Sequence, residues 1–264
     1  MARVHCQRKK TDEPSQIERR RHVVERRKIS AIASSKTKGS AGEPRDSQLG
    51  FSMHIKTSSS ARIIIVDYRT GNSNSIKRTL DQIGSRSIIS SQIEDLTQAD
   101  KIILPGVGHF AKAMANLKEL DLLEALNEAV LIKRKTVLGI CLGMELMAMR
   151  SQEGDTQGLQ WLDAEAVRFK SSAAARHKVP HMGWNRIQIK KVSALMKGVE
   201  NLSEFYFAHS YHLKIKDRSD LLNETEYGIS FPSAVERNNI FGVQYHPEKS
   251  HRTGVRVLKN FIDM

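Results

Sequence analysis

The chain has 264 residues, with 42 Lys or Arg against 29 Asp or Glu, and a formal net charge of +13. Only two cysteines are present, so we expect no disulfide framework and a reducing, cytoplasmic location. No apolar run is long enough to predict a membrane span. Residues 1–60 carry 14 Lys or Arg and 6 Asp or Glu, so the rest of the chain is only mildly basic. The overall charge therefore does not by itself indicate nucleic-acid binding, which we do not expect.

Residues 1–60 are predicted to be a basic, disordered N-terminal extension, and residues 61–264 to be the folded domain. The extension is poor in apolar residues and rich in Ser, Gly and basic clusters such as RKK and RRR. Such a composition buries too little surface to offset the entropy of ordering. Contact with an acidic surface, an organellar transit peptide and a translation start at Met53 remain open alternatives for this segment.

Four short apolar runs alternate with helical patterns from Arg62 onward. The runs are IIIV at 63–66, SIIS at 87–90, KIIL at 101–104 and TVLGI at 136–140. Apolar residues at helical spacing follow the first run as far as Gly84, and a second amphipathic segment extends from Phe110 to about Lys133. This alternation predicts parallel βαβ units. The polar turns at 67–72 and 105–108 and Cys141 should then lie on one rim of the sheet, beyond the carboxyl ends of its strands.

The second half of the chain is rich in predicted strands, which are AEAVRF, NRIQI, EFYFAHSYHLKI and AVERNNIFGVQ. They indicate antiparallel or mixed strands added to the parallel core. The chain then closes with a helical pattern over Thr253 to Ile262.

The histidines and glycine-rich turns give no indication of a metal or a cofactor. Pro180 interrupts the helical spacing of His177 and His181, and His209 and His212 are expected on opposite faces of a strand. The PGVG and RTGN turns lack the lysine and spacing of a P-loop. We therefore expect neither a metal site nor a bound nucleotide.

Cys141 stands between Gly139 and Gly143, where the fourth apolar run ends. Glycines here permit the sharp strand-to-helix turn that holds a nucleophile above a sheet edge. A helix beginning just after Cys141 would direct its positive end at the sulfur and favour the thiolate. On this motif alone, a buried structural cysteine is the alternative interpretation.

His246 and Glu248 flank Pro247, so both side chains should face one way on an extended segment. The carboxylate could then hold one imidazole nitrogen and leave the other for the Cys141 thiol. Together with the glycine-flanked cysteine, this spacing predicts a Cys141–His246–Glu248 triad.

Six motifs occur in the order typical of a class I (triad) glutamine amidotransferase: DYRTGNSNSIKRTL, LPGVGHF, GICLGM, VPHMGWN, FAHSYH and QYHPEKS. Over about residues 62–264 the chain most resembles the branch formed by the glutaminase subunits of imidazole glycerol phosphate synthase. The resemblance implies the flavodoxin-like α/β fold of that family, in which helices flank a parallel central sheet with added antiparallel strands. It also implies a site that uses no cofactor.

The resemblance implies a reaction in which Cys141 attacks the side-chain amide of L-glutamine, His246 transfers the proton and Glu248 holds His246. The backbone N–H groups of Val107 and Leu142 would stabilise the oxyanion. The PGVG peptide of the family flips before it donates, which keeps the glutaminase idle until its partner is occupied.

The substrate-binding residues implied by the resemblance are Gly106, Glu145, His209, Ser210 and Tyr211. Glu145 departs from the family, which commonly has Gln at this position. A carboxylate there could accept hydrogen bonds from the substrate ammonium, but it could not donate one to the substrate carboxylate.

The partner implied by the resemblance is a (β/α)8-barrel cyclase, which would form a heterodimer with this chain and receive the ammonia. Asn72, Tyr206 and Lys249 are the positions expected to face it. Arg69 and Ser75 depart from the family at this face. These departures and Glu145 leave open a paralogous ammonia-supplying subunit for amidination of bacterial surface sugars. A non-catalytic regulatory module of the same fold is a separate alternative, against which the complete Cys141, His246 and Glu248 set argues.

Overall fold

The computed structural model describes residues 61–170 and 177–264, so the predicted N-terminal extension lies outside the described residues. The four apolar runs form strands β1 (Ile63–Val66), β2 (Ser87–Ser90), β3 (Lys101–Leu104) and β4 (Thr136–Ile140). Their predicted bounds are confirmed. The prediction that the folded domain begins at residue 61 stays a prediction.

Ten further strands follow in the second half of the described chain. They are β5 (Arg150–Ser151), β6 (Thr156–Gln157), β7 (Ala164–Arg168), β8 (His181–Arg186), β9 (Gln188–Ile189), β10 (Glu204–His209), β11 (Tyr211–Ile215), β12 (Leu221–Glu226), β13 (Ser230–Arg237) and β14 (Ile240–Val243). The central sheet has the order β2-β1-β3-β4-β14-β13-β12-β9. Its first five strands are parallel, and β13, β12 and β9 extend it in antiparallel fashion. The predicted parallel core with added antiparallel strands is confirmed.

Helices cover the central sheet. They are α1 (Ser73–Gln82), α2 (Ile93–Gln98), α3 (Phe110–Glu119), α4 (Leu122–Asn127), α5 (Leu142–Glu145) and α6 (His251–Asp263), with a π-helical turn at Glu128–Ile132 and 3₁₀ turns at Arg218–Asp220 and Pro247–Lys249. No helix within the described ranges is long and apolar enough to cross a membrane.

The two faces of the sheet bury alternate residues of the same strand. Ile64 and Val66 belong to one hydrophobic core, whereas Ile63 and Ile65 belong to the other. Successive side chains of a strand point to opposite faces, so a continuous run of branched apolar residues serves both cores at once. This burial explains why short runs without polar alternation form the centre of the sheet.

Three helical details differ from the sequence prediction. The pattern from Phe110 to Lys133 is broken at Asp121, whose φ of 54° is left-handed and cannot continue a helix. Helix α2 was not predicted, because six residues are too few for a clear period. The helix after Cys141 is a single turn, α5, so its macrodipole is far smaller than a long helix would supply.

Strands β10 and β11 are separate, because the chain leaves the β10–β8 pair at Ser210 and joins a second sheet of order β11-β7-β5-β6. The His209 and His212 rings lie 5.4 Å and 4.6 Å from the ring of Phe169. The expectation that these two histidines point to opposite faces of one strand is therefore wrong. The break at Ser210 reverses the alternation.

Lys101, the first residue of β3, should stabilise the fold by capping the end of α6. Its buried Nζ donates to the carbonyl oxygens of Phe261 (2.9 Å) and Ile262 at the end of α6, where carbonyls lack helical partners. Replacing Lys101 with Met should lower the free energy of unfolding by about 1–2 kcal/mol, because these charge-assisted bonds are lost. Urea denaturation measures this. The matched variant Lys259→Met, at an exposed position of α6, should change it by less than about 0.5 kcal/mol. Equal effects would contradict the capping role.

Candidate active site

Cys141 occupies a strained turn between β4 and α5. Its φ of 54° and ψ of −112° are rare for a side-chain-bearing residue, and such strain persists where the surroundings enforce it. Its N–H donates to the Val243 carbonyl on β14 (2.8 Å), which extends the parallel pairing to the turn. A Cβ at position 143 would lie 1.8 Å from the Leu104 carbonyl oxygen. Only glycine at this position therefore lets the elbow pack on the end of β3.

His246 and Glu248 form a buried pair at the end of β14. The His246 Nδ1 and the Glu248 Oε1 are 2.8 Å apart, and both side chains are almost fully buried. The backbone N–H of His246 donates to the Tyr206 carbonyl (2.9 Å), and Ser250 Oγ donates to the His246 carbonyl (2.6 Å). The predicted spacing therefore brings the two side chains together. His246 has extended backbone, but Glu248 lies in the 3₁₀ turn that follows it rather than on an extended segment.

The second ring nitrogen of His246, Nε2, is buried and has no hydrogen-bond partner among the described residues. A buried polar atom without a partner calls for an explanation, and for a ring nitrogen exchange of a proton with a reacting group is a suitable one. Because Glu248 accepts at Nδ1, the tautomer with the proton on Nδ1 leaves Nε2 free to accept a proton. The pair is thus arranged as a base.

A cavity of about 200 Å³ lies beside Cys141. It is lined by Val107, Gly108, Cys141, Leu142, Glu145, Glu153, Pro180, Met182, Ala208, His209, Ser210 and Tyr211. Most of the predicted substrate-binding and oxyanion positions therefore meet at one place. The positions after β3 and β4 meet because parallel strands end on one rim, whereas His209, Ser210 and Tyr211 come from the end of β10 in a separate antiparallel pair.

The Cys141 thiol is not held as a thiolate in this state, although the N–H at the start of α5 favours that form as expected. Burial raises the pKa of the Cys141 thiol, and negative charge on Glu145, once it ionises, and on Glu248 raises it further. The Leu142 N–H and the Gln244 amide oppose this rise but do not overcome it. A one-turn helix cannot compensate for desolvation, so the proton must be removed by a base during the reaction.

Glu145 is buried in the cavity wall, and its carboxyl is held in the neutral form. Burial raises its pKa to about 8, the Gln244 amide opposes the rise, and the charge of Glu153 adds to it. Gln244 Nε2 donates to Glu145 Oε1 (2.7 Å) and lies 3.9 Å from Cys141 Sγ. A neutral carboxyl can donate as well as accept, so the acid can act much as the amide that the family carries at this position.

Two buried histidines support the cavity wall formed by His209 to Tyr211. His209 Nδ1 donates to the Tyr211 carbonyl (2.6 Å), so its Nε2 accepts from His181 Nδ1 (2.9 Å). The amide of Asn185 donates in turn to His181 Nε2 (3.2 Å). Burial lowers the pKa of His209 to about 3 and that of His181 to about 4. Both rings therefore remain neutral and fix the turn at Ser210.

In the PGVG turn, Gly106 is closely packed and Gly108 is not. The Tyr68 hydroxyl, which is fully buried, donates to the Pro105 carbonyl. A Cβ at position 106 would lie 2.6 Å from that hydroxyl, so Gly106 is confined by close packing. Gly108 has a φ of 117° and no atom near its Cβ position. The Gly108 backbone is therefore the less confined of the two glycines in this turn. Val107 is 37 % exposed at the cavity edge.

The three residues predicted to face a partner occupy different settings. The Asn72 side-chain amide donates to Glu248 Oε1. Lys249 Nζ lies 5.8 Å from the centre of the Tyr206 ring, which packs edge-on against the exposed Trp184. Tyr206 and Lys249 thus stand beside the His246–Glu248 pair and do not line the cavity.

Sequence reasoning missed the supporting residues Gln244, Glu153, Tyr68 and His181. A signal existed only for Gln244, which stands two residues before His246, a spacing that directs both side chains one way on extended backbone. The others are distant in sequence from the triad and become visible only through tertiary packing.

The sequence profile of the family described as glutamine amidotransferase class-I matches residues 64–264. The chain belongs to this family. Relatives include the imidazole glycerol phosphate synthase subunit HisH 2 of Pseudomonas aeruginosa, which is 43% identical over 76% of this chain and 99% of its own length. Subunit HisH 1 of Campylobacter jejuni is 44% identical over 76% of this chain and 98% of its own length. Subunit HisH 2 of Methanococcus maripaludis is 45% identical over 76% of this chain and 98% of its own length.

Solved structures agree on the fold of this amidotransferase. PurLQS from Thermotoga maritima matches with a TM-score of 0.59 at 13% identity, over 77% of this chain and 98% of that chain. The glutaminase domain of Trypanosoma brucei CTPS matches with a TM-score of 0.52 at 17% identity, over 77% of this chain and 94% of that chain. These likenesses establish the class I amidotransferase fold predicted from the motifs.

Proposed function

We propose that this amidotransferase hydrolyses glutamine with a Cys141–His246–Glu248 triad and supplies the ammonia for imidazole glycerol phosphate synthesis in histidine biosynthesis. The observation that carries the proposal is a buried His246–Glu248 pair with an unpartnered Nε2, which follows β14. The neighbouring strand β4 ends at a cysteine on a strained elbow in the cavity wall. This arrangement can remove a thiol proton and return it to a leaving group.

In the proposed reaction, Cys141 Sγ attacks the side-chain amide carbon of glutamine and its proton passes to His246 Nε2. The imidazolium is stabilised by Glu248 and protonates the departing nitrogen, so that ammonia leaves and a γ-glutamyl thioester remains. Water, deprotonated by His246, then cleaves the thioester to glutamate and restores the thiol. Because the thiol pKa is raised, proton transfer to His246 must accompany the attack.

We assign the oxyanion donors to the backbone N–H groups of Leu142 and Val107. Leu142 follows the nucleophile, and its N–H already interacts with the Cys141 sulfur. Removing one such donor typically costs on the order of 100-fold in rate. Substrate contacts are assigned to Glu145 and to the His209–Tyr211 wall, which line the same cavity.

The relatives support the choice of pathway and partner. Each of the three reported is named as a subunit of imidazole glycerol phosphate synthase, and this chain covers nearly the full length of each. The surface-sugar alternative is not favoured by these names. By this proposal a (β/α)8-barrel cyclase subunit receives the ammonia in the cytoplasm, and Tyr206 and Lys249 lie at the contact with it.

Glutamine hydrolysis by the isolated chain should be slow, and addition of the barrel cyclase with its bound ligand should increase it by at least about tenfold. The reason is that the PGVG turn must rotate at Gly108 before Val107 can donate. Release of glutamate measures the rate, and glutamine labelled with ¹⁵N at the amide reports whether the nitrogen reaches imidazole glycerol phosphate. Equal rates with and without the partner would contradict the switch, and absence of label in that product would contradict the pathway.

A further inference from the structure

Glu248 receives hydrogen bonds from two side chains, and only one of them belongs to the triad. Its Oε1 accepts from His246 Nδ1 (2.8 Å) and also from the side-chain amide of Asn72. A carboxylate oxygen has two lone pairs and can accept both bonds. Its Oε2 is buried without a partner among the described residues. Within that part of the chain, Asn72 is therefore the only group besides His246 that orients the Glu248 carboxylate.

Asn72 forms this bond instead of capping its own helix. It stands at the N-cap of α1, where an Asn side chain normally accepts from the N–H groups of the first turn. Here no side-chain cap is formed, and only its backbone carbonyl accepts, from Ser75 (3.0 Å) and Ile76 (3.3 Å). Its φ of 88° and ψ of −5° are left-handed, a conformation that Asn tolerates better than most residues. The side chain is thus turned from the helix towards the triad.

We propose that Asn72 is a positioning residue that fixes the Glu248 carboxylate against His246; the inference rests on the proposed triad function. Glu248 Oε1 must stay on Nδ1 if the imidazole is to keep Nε2 facing the thiol. A single bond to His246 leaves the carboxylate free to rotate about its last torsion. The second donor, on a different element of the fold, removes that freedom.

The first βα turn, residues 67–72, thereby contacts both halves of the site. Tyr68 donates to the Pro105 carbonyl of the PGVG turn, and the Cβ position of Gly71 lies 3.6 Å from the Val107 side chain. Asn72 reaches the triad from the same turn. One segment therefore sets the position of the base and supports the loop that carries an oxyanion donor.

Two substitutions separate the hydrogen bond from the shape of the turn. Asn72→Gly keeps the left-handed backbone and removes the donor. Asn72→Asp keeps the shape and the backbone preference, but the side chain can donate only when it is protonated. Asn74→Ala is the matched control, because Asn74 is an exposed residue of the same helix. All variants are made in the full chain, and glutamate release is measured from pH 6 to pH 9.

Asn72→Gly should lower kcat by about tenfold across this range with little change in KM, since Asn72 does not line the cavity. Asn72→Asp should match that loss at pH 8.5 and regain activity towards pH 6, as its carboxyl takes up a proton and donates to Glu248. The glycine variant has the same surroundings, so the difference between the two profiles isolates the carboxyl at position 72. The titratable and charged groups on α1 and on the elements packed against it or against the 3₁₀ turn are His246 and Lys249 at that turn, Glu204, Tyr206 and His209 on β10, Lys77, Arg78 and Asp81 on α1, and His251, Arg252, Arg256, Lys259 and Asp263 on α6, with Cys141 near Glu248 on the elbow.

Wild-type kcat in both position-72 variants would overturn the inference, as would identical profiles for Asn72→Asp and Asn74→Ala. A loss in Asn72→Gly with full activity in Asn72→Asp at every pH would show that only the shape of the turn matters, and would overturn it as well. The proposed function fails separately, if the unsubstituted chain with its barrel partner releases no glutamate.

Discussion

Replacement of Cys141 with Ala should lower kcat/KM for glutamine hydrolysis by at least about 1,000-fold without unfolding the protein. The sulfur is the nucleophile of the proposed reaction, and no thioester can form without it. Alanine removes one atom from a 4 % exposed site and keeps the Cβ, so the elbow retains its packing. Glutamate release at saturating glutamine, with and without the barrel partner, measures the effect.

The control for this substitution is Met144→Leu on helix α5. Met144 is fully buried next to the elbow, and a volume-conserving exchange should cost less than about 1.5 kcal/mol and keep most of the activity. If both variants lose activity together, packing rather than nucleophilic chemistry explains the loss. If Cys141→Ala retains glutamine-dependent activity, the assignment of the nucleophile is wrong.

Replacement of Glu145 with Gln should stabilise the protein, by an amount that grows with pH. The unfolded chain ionises this carboxyl near its ordinary pKa of 4.5, whereas the folded protein keeps the proton until about pH 8. Between these values the unfolded state binds fewer protons, so the free energy of unfolding falls as pH rises. The loss is about 1 kcal/mol for each pH unit in this window and should be absent in Glu145→Gln.

Urea denaturation at pH 5.5, 7 and 8.5 measures this difference in slope. The amide can still accept the hydrogen bond from Gln244, so the variant keeps the local contact. Glu119→Gln is the control, because Glu119 is an exposed partner of Arg69 and should leave the slope unchanged. A Glu145→Gln protein that follows the wild-type slope would show that Glu145 is ionised in the folded state.

The same variant tests the substrate contact proposed for Glu145. Below pH 8 the neutral carboxyl can donate to the substrate carboxylate, and above pH 8 it becomes a negative charge beside the thiol. The KM of the wild type for glutamine should therefore rise above pH 8, whereas that of Glu145→Gln should stay level. Parallel KM profiles would place glutamine away from residue 145.

Much of the fold could be predicted because its determinants are local. The four parallel strands were recognisable as short runs of branched apolar residues bounded by polar turns, and Gly84 marked the end of α1. Helix α2 and the break at Asp121 were missed, since a six-residue helix has too little periodicity and a left-handed Asp has no distinctive sequence signal. The topology that places β14 beside β4 depends on contacts distant in sequence.

The sequence by itself determined the elbow at Cys141, the pairing of His246 with Glu248 and the membership of the family, because these depend on glycine conformations and residue spacings within a few positions. Only the tertiary structure decided the protonation of Cys141 and Glu145, since a pKa depends on burial and on charges from other elements. It also decided the tautomers of His181 and His209 and the bond from Asn72 to Glu248. Such contacts join residues far apart in the chain, and only packing can bring them within hydrogen-bond distance.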